Sequence, residues 1–165
     1  GSQEMKIRSG TLPTELIAGF SMAFDILNSS NQNEGFYQSE ESLKVRELVK
    51  LLKDHLHSIK GITFTGHPLE RLPHHLSILV ADKNNSPVLG TYVVRELAFR
   101  GISVSSGSAC RSGNLQDSNV LRAMNVESKW CRSGLRFSLG PWVSPDDIKK
   151  VCSILESVLS NISHK

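Results

Sequence analysis

The 165-residue chain is 39% apolar and 21% charged, the balance of a globular domain long enough for one real hydrophobic core. Its net charge of +3 is scattered: the densest basic group, Lys44, Arg46, Lys50 and Lys53, is interrupted by acids, so the stripe or tail of a nucleic-acid binder is missing. Nothing approaches the ~20 apolar residues of a membrane span, no signal-peptide pattern opens the chain, and three widely spaced cysteines without a CxxC pair make neither a disulfide framework nor a structural zinc site, which points to a reducing compartment.

The opening Gly1-Ser2 reads as a cloning remnant, with residues 3–165 as one domain of a longer protein. Residues 14–27, "TELIAGFSMAFDIL", carry apolar side chains at helical spacing, with Thr14 in place to cap them. After "SSNQNEG", residues 40–59 form an amphipathic helix whose core face is expected to hold Leu43, Leu48, Leu51, Leu52, Leu56 and Ile59. Gly61 ends it. Residues 62–65 read as a short strand, 71–75 as a loop, and 75–81 as an alternating strand.

A turn, "KNNSP", leads to a helix over 88–99 closed by Gly101. Residues 102–106 read as a strand and 119–124 as a short helix capped by Ser118. Residues 134–139, "GLRFSL", alternate as a strand, with Arg136 and Ser138 on one face and Leu135, Phe137 and Leu139 on the other. The last helix, over 144–159, opens with Ser144 as N-cap, Pro145 at the first position and two acids. Its core face is Ile148, Val151, Cys152, Leu155 and Leu159. The sum is an α+β, two-layer sandwich: helices packed on one face of a small, mostly antiparallel sheet.

The cysteines differ in setting. Cys110 sits in "SSGSACRSG", bracketed by Gly107 and Gly113, with Arg111 adjacent. Small neighbours leave a sulfur accessible, glycines let it travel, and a cation or converging N–H groups favour the thiolate. A chance cysteine in a strand-to-helix connection would look the same. Cys152 falls on the apolar face of a helix and reads as structural. Cys131 follows Trp130 in a turn region and reads as inert. The histidines His67, His74 and His75 are irregularly spaced and read as loop and strand-edge residues rather than metal ligands.

Two short stretches, "CRSGNL" and "CRSGLR", resemble the active loop of the rhodanese sulfurtransferases. The copy at Cys131 runs into a strand rather than a helix, and the copy at Cys110 lacks the further donors that loop wants. A longer resemblance covers nearly the whole chain. "RSGT" with "IAGF", then "RLP" before a strand, then "GISVSSGSACRSG" followed by "SNVLRAM", then "LRFSLGPW" followed by "DDI", occur in the order seen in cysteine desulfurases, pyridoxal-phosphate enzymes related to class V aminotransferases. Residues 3–165 resemble their C-terminal, small domain, part of a fold-type I pyridoxal-phosphate enzyme.

The resemblance implies a chemistry. L-cysteine is bound at the cofactor, Cys110 attacks its sulfur, L-alanine leaves, and the Cys110 persulfide is passed to an acceptor such as an iron–sulfur cluster assembly protein. Arg136 matches the arginine that binds the substrate carboxylate, a role its planar fork suits; a structural ion pair is the alternative. Thr11 matches a threonine that reaches the cofactor phosphate of the neighbouring subunit, as in a homodimer; a turn or cap residue is the alternative. The cytoplasm, a plastid or a mitochondrion would suit such a protein.

The same comparison shows what the chain lacks. The Schiff-base lysine, the histidine that stacks on the cofactor ring and the aspartate paired with its pyridinium nitrogen precede "RSGT" in the family. Lys6 is the only lysine before Thr11, and its context is wrong. The chain alone is therefore expected to bind no pyridoxal phosphate and to be inactive. Two other functions remain open: a standalone persulfide carrier or interaction module, and a rhodanese-like sulfurtransferase.

Overall fold

A computed structural model describes residues 1–29, 39–107 and 117–162. The chain divides into two compact units, Gly1–Glu40 and Glu41–Lys165. The first unit contains a single 3-10 turn, Gln3–Lys6, and helix α1, Thr14–Ser29. Between them Arg8 Nη1 donates to the carbonyl of Thr11 at 3.0 Å, and Ile17 N–H donates to Pro13 O as the helix begins. The apolar residues that mark α1 in the sequence, among them Leu16, Phe20, Met22 and Phe24, are exposed.

The second unit runs α2 (Glu40–His57), β1 (Ile62–Phe64), β2 (His75–Val80), α3 (Gly90–Ala98), β3 (Ser105–Ser106), α4 (Asn119–Ala123), β4 (Gly134–Ser138) and α5 (Pro145–Ser160). The strands form one sheet in the order β1-β2-β4-β3, with every neighbouring pair antiparallel. The α+β, antiparallel architecture expected from the sequence is the one observed.

The register divides the sheet into two unlike faces. Ile62 pairs with Val80, Phe64 with Ile78, Ile78 with Leu135, and Leu76 with Phe137. Directly opposed residues share a face, so these side chains all point one way. They pack with Leu48, Leu52 and Leu56 of α2, Val93 and Leu97 of α3, and Ile148, Cys152, Leu155, Val158 and Leu159 of α5 in one core. Each leucine buried there contributes about 1.5–3 kcal/mol.

The other face carries Thr65, His75, Ser77, Arg136, Ser138 and Ser105. At one end of it Leu79 packs with Leu121 of α4 and with Cys131 in a small second cluster. The short helix α4 is thus the exception to the expectation that helices cover one face only.

Helix ends follow local chemistry. Ser144 and Asp147 form a reciprocal capping box with Pro145 at the first turn. Ser118 Oγ accepts from Leu121 N–H at 3.3 Å. Gly101, at φ +75°, lets Ile102 N–H reach back to Leu97 O at 3.0 Å, the six-residue closure of a Schellman motif. That use of Ile102 shortens the expected strand over 102–106 to Ser105–Ser106.

Two further expectations are corrected. Helix α3 begins at Gly90, not at residue 88, because Leu89 is still extended at ψ 118° and Val88 N–H continues the pairing next to the Ala81–Pro87 bridge by donating to Val80 O at 3.0 Å. Leu43 is 48% exposed, and Val45 takes the core position in its place. At 100° per residue Leu43 lies about 140° from Leu48, off the stripe that Val45, Leu48, Leu52 and Leu56 share.

Candidate anion-binding cleft

Arg136 is the third residue of β4, an inner strand flanked by β2 and β3, whose even-numbered positions face away from the helical core. It lies opposite Ser77 of β2 and opposite Ser105 of β3. Leu135 and Phe137, on either side of it in sequence, are buried in the core, so the alternation read from "GLRFS" fixes which way the guanidinium points. Next to Ser77, Thr65 continues the β1–β2 ladder by donating its N–H to Ser77 O at 3.0 Å. Its hydroxyl donates to Ser77 Oγ at 2.8 Å.

These residues line a cleft of about 190 Å³, together with Gly66, Arg71, His75, Gly107, Ser118, Leu121 and Gly134 among others. Two guanidiniums, the hydroxyls of Thr65, Ser77 and Ser118 and one imidazole supply its polar side chains. No Asp, Glu or Lys is among the described residues that line it. Among the described residues neither Arg136 nor Arg71 forms an ion pair. His75 is held below its ordinary pKa, first by burial and then by the positive fields of Arg71, Arg136 and His74. With its histidine held toward the neutral form and two guanidiniums in its wall, the cleft is suited to a small anion, above all to a carboxylate that can accept two parallel N–H bonds from one guanidinium.

The connection between β1 and β2 is tied down locally. His67 Nδ1 accepts from Glu70 N–H at 2.8 Å and Leu69 N–H at 3.3 Å, so His67 is engaged within its own loop. Arg71 N–H donates to Leu69 O, and His75 N–H to Leu72 O. Leu139 N–H donates to His74 O at 2.9 Å. His75 belongs to the cleft wall, whereas His67 and His74 do not line it.

The segment that carries Cys110 lies outside the described residues, but both of its described flanks line the cleft. Gly107 N–H donates to Gly134 O at 3.0 Å, and Ser118 N–H donates to Cys131 O at 3.2 Å. Asp117 is clamped as well: Arg132 Nε donates to its Oδ1 at 2.8 Å and Ser128 Oγ to its Oδ2 at 3.3 Å. The Arg132 hydrogen bond holds the Asp117 carboxyl below its usual range. Backbone contact is close here. A side chain on Gly90 would collide with Gly134 O, and Gly90 N–H donates to Arg132 O at 2.8 Å.

The other two cysteines are unlike an accessible nucleophile. Cys131 is buried, its thiol pushed up by burial and by Asp117, and it donates to Val126 O at 3.4 Å. Cys152 is buried in the helical core, and burial pushes its thiol up to about 11. A thiol so raised is almost wholly protonated at neutral pH, and the protonated form is the unreactive one. Thr11, the third residue singled out in the sequence, lies in the first unit with its side chain exposed. No site role is read from the sequence for Arg71, Ser77 or Thr65, and His75 reads only as a strand-edge residue. The signal was present in "HLSILV", whose alternation puts His75 and Ser77 on the face opposite Leu76 and Ile78.

Comparison with known proteins adds the following. A family model described as aminotransferase class-V matches residues 1–151. A cysteine desulfurase IscS of Vibrio cholerae is 30% identical over 162 residues, 98% of this chain and 37% of its own length. A Vibrio vulnificus cysteine desulfurase IscS is 33% identical over 148 residues, 90% of this chain and 33% of its own length. Among solved structures, a NifS-like protein from Rickettsia africae superposes with a TM-score of 0.74 at 25% identity, over 96% of this chain and 38% of that one.

Proposed function

The chain belongs to the class V aminotransferase family, and from that premise we propose that it is the C-terminal domain of a cysteine desulfurase. It spans about 37% of the length of the curated relatives it matches, so the activity is that of a longer protein. The overall reaction we assign is L-cysteine plus the Cys110 thiol giving L-alanine plus the Cys110 persulfide. The carbon–sulfur bond of the substrate breaks, a sulfur–sulfur bond forms, and a proton replaces sulfur on the substrate carbon. Atoms and electrons balance without an outside oxidant.

The observation that carries this reading is the cleft itself. Arg136 stands in it without an anionic partner among the described residues, and both flanks of the Cys110 segment, Gly107 and Ser118, form part of its wall. Cys110 is three residues from Gly107, at most about 11 Å of extended chain. A carboxylate held at Arg136 is therefore within the span of the tether that carries the thiol. Thr11 would contribute its hydroxyl to a cofactor phosphate across a homodimer.

Class V aminotransferases work with pyridoxal phosphate. The cleft does not fit that group as its anchor, because among the described residues neither a lysine nor a carboxylate lines it. What this chain supplies is the carboxylate clamp and the sulfur acceptor; the covalent anchor and the electronic tuning of the cofactor belong to the rest of the protein, and the chain by itself is inactive. The onward partner is a sulfur-acceptor or iron–sulfur scaffold protein, in the cytoplasm or in an organelle such as a plastid or mitochondrion. No helix among the described residues is long and apolar enough to cross a membrane.

Mass spectrometry of the full-length protein after incubation with L-cysteine tests the assignment. One added sulfur on the peptide containing Cys110, abolished by Cys110→Ser and retained in Cys131→Ser and Cys152→Ser, is the expected result. An extra sulfur that survives Cys110→Ser removes the role from Cys110. A persulfide carrier that binds no cofactor is the second reading. Visible absorbance of the natural full-length protein separates the two: a yellow protein supports the desulfurase.

A further inference from the structure

His75 lines the cleft beside Arg136. It pairs across the sheet with Ser138, and Arg136 stands two positions from Ser138 on the same face of β4. Diagonal neighbours of this kind lie about 7–8 Å apart, within reach of aromatic and long side chains, and the field of Arg136 reaches the imidazole. The two ring nitrogens have unlike surroundings. Arg71 Nη2 stands 3.5 Å from Nδ1. A guanidinium only donates, so Nδ1 meets it with a lone pair. At that distance the hydrogen bond is weak, but the positive charge still opposes a proton on Nδ1. The neutral ring therefore carries its proton on Nε2. Nε2 has no hydrogen-bond partner among the described residues, and it is not one of their buried unpartnered atoms. The ring proton thus sits on the accessible nitrogen of a residue in the Arg136 cleft.

We propose that His75 is a further carboxylate-binding residue of this cleft: its Nε2–H, set by Arg71, donates to the anion that Arg136 holds. The proposal rests on the reading of Arg136 as a carboxylate clamp, and the ligand keeps the single carboxylate of L-cysteine. Arg71 is a positioning residue that acts through the ring. The arrangement also ties binding to proton uptake. The charged groups facing the imidazole are Arg71 from the β1–β2 loop, Arg136 from β4 and His74 next to it, with no carboxylate among them. An anion seated beside the ring offsets these fields and favours the imidazolium. A bound carboxylate therefore raises the titration midpoint of His75, and by reciprocity it binds more tightly as pH falls through the histidine range.

The test uses this chain with nitrogen-15 in its histidine rings and one probe, sodium lactate, titrated against sodium chloride at matched ionic strength. Lactate has one carboxylate, no ammonium group, and stays ionised through the histidine range. In the free chain the ring signals of His75 should show the Nε2–H form, and Arg71→Gln should shift the population toward Nδ1–H. Lactate should move the Nε2 signal and raise the titration midpoint of His75, and Arg136→Gln should abolish both effects. His75→Phe should weaken lactate binding roughly 10-fold, the loss of one hydrogen bond to a charged group. His57→Gln, which alters an exposed histidine of α2, should leave binding unchanged. Unchanged amide signals outside the cleft show that each variant is folded, and the ring signals of the unaltered chain decide the matter even where His75→Phe is not. A ring protonated on Nδ1, a midpoint that lactate does not raise, full affinity in His75→Phe, or no binding of lactate overturns the proposal. If lactate binds and is lost in Arg136→Gln while the His75 ring never responds, only the role of His75 fails. If Arg136→Gln leaves lactate binding intact, the clamp itself fails, and the role of His75 with it.

Discussion

Ser77 stands directly opposite Arg136 across the β2–β4 ladder, on the face of the sheet turned away from the helices. The hydroxyl of Ser77 already accepts from Thr65 at 2.8 Å, and no carboxylate of the described chain pairs with Arg136. The guanidinium is therefore held in place by the strand while its donors stay available. Replacing it should weaken substrate binding more than folding. In the full-length enzyme Arg136→Ala is expected to raise the KM for L-cysteine by roughly 10–100-fold, the loss of about 1.5–3 kcal/mol for a hydrogen bond to a charged group. Steady-state kinetics measure it. A KM that does not move would make Arg136 a structural residue.

His75 gives the fold a pH dependence of known sign. Burial, Arg71, Arg136 and His74 lower its pKa in the folded chain. As pH falls through the ordinary histidine value of about 6.5, the unfolded chain takes up a proton that folded His75 does not. Stability must fall across that window and level off below the depressed folded value. Urea midpoints between neutral and mildly acidic pH should show the decline, and His75→Gln should flatten it. Equal slopes for the two proteins would mean that another group controls the transition.

Cys152 acts at the other end of the scale. Its thiol is pushed up to about 11 by burial, so the folded chain keeps a proton that the unfolded chain releases from about pH 8.5 upward. The protein should lose stability progressively as pH rises from there to 11. Cys152→Val, close in size and without a proton to lose, should remove this component; identical alkaline denaturation profiles would show that it is absent.

Gly90 and Gly134 meet backbone to backbone, and a methyl group on Gly90 would strike Gly134 O. The same carbonyl accepts from Gly107 N–H, at the point where the chain enters the segment of Cys110. Gly90→Ala should cost about 1–3 kcal/mol by forcing the start of α3 away from β4. Thermal unfolding followed by circular dichroism would record it. An unchanged melting temperature would mean that α3 shifts freely and that the close approach has no energetic weight.

Much of this protein can be read locally. The Ser144 cap followed by Pro145 and two acids, the Ser118 cap, the glycine stop at 101 and the alternation around Arg136 all arise from neighbours in sequence, and each appears as expected; the return bond of Asp147 that completes a capping box is added by the structure. Errors fall where a residue answers to a distant one. Val88 reads as helix until its N–H is seen to pair with Val80, and residues 102–104 read as strand until Ile102 is seen to close α3. Leu43 reads as core only if the helical phase is counted loosely.

The sequence by itself determined most element types, the caps of α4 and α5, the membership of a family and the direction in which Arg136 points, because propensity, capping and alternation act over a few residues. Only the tertiary structure decided the composition of the cleft. Arg71 and His75 share a wall with Arg136, which lies 65 and 61 residues further along the chain, because the sheet order β1-β2-β4-β3 sets β2 beside β4. That adjacency is chosen by the burial of Leu76, Ile78, Leu135 and Phe137 under three helices. It is a cooperative choice of the whole core, which no local pattern records.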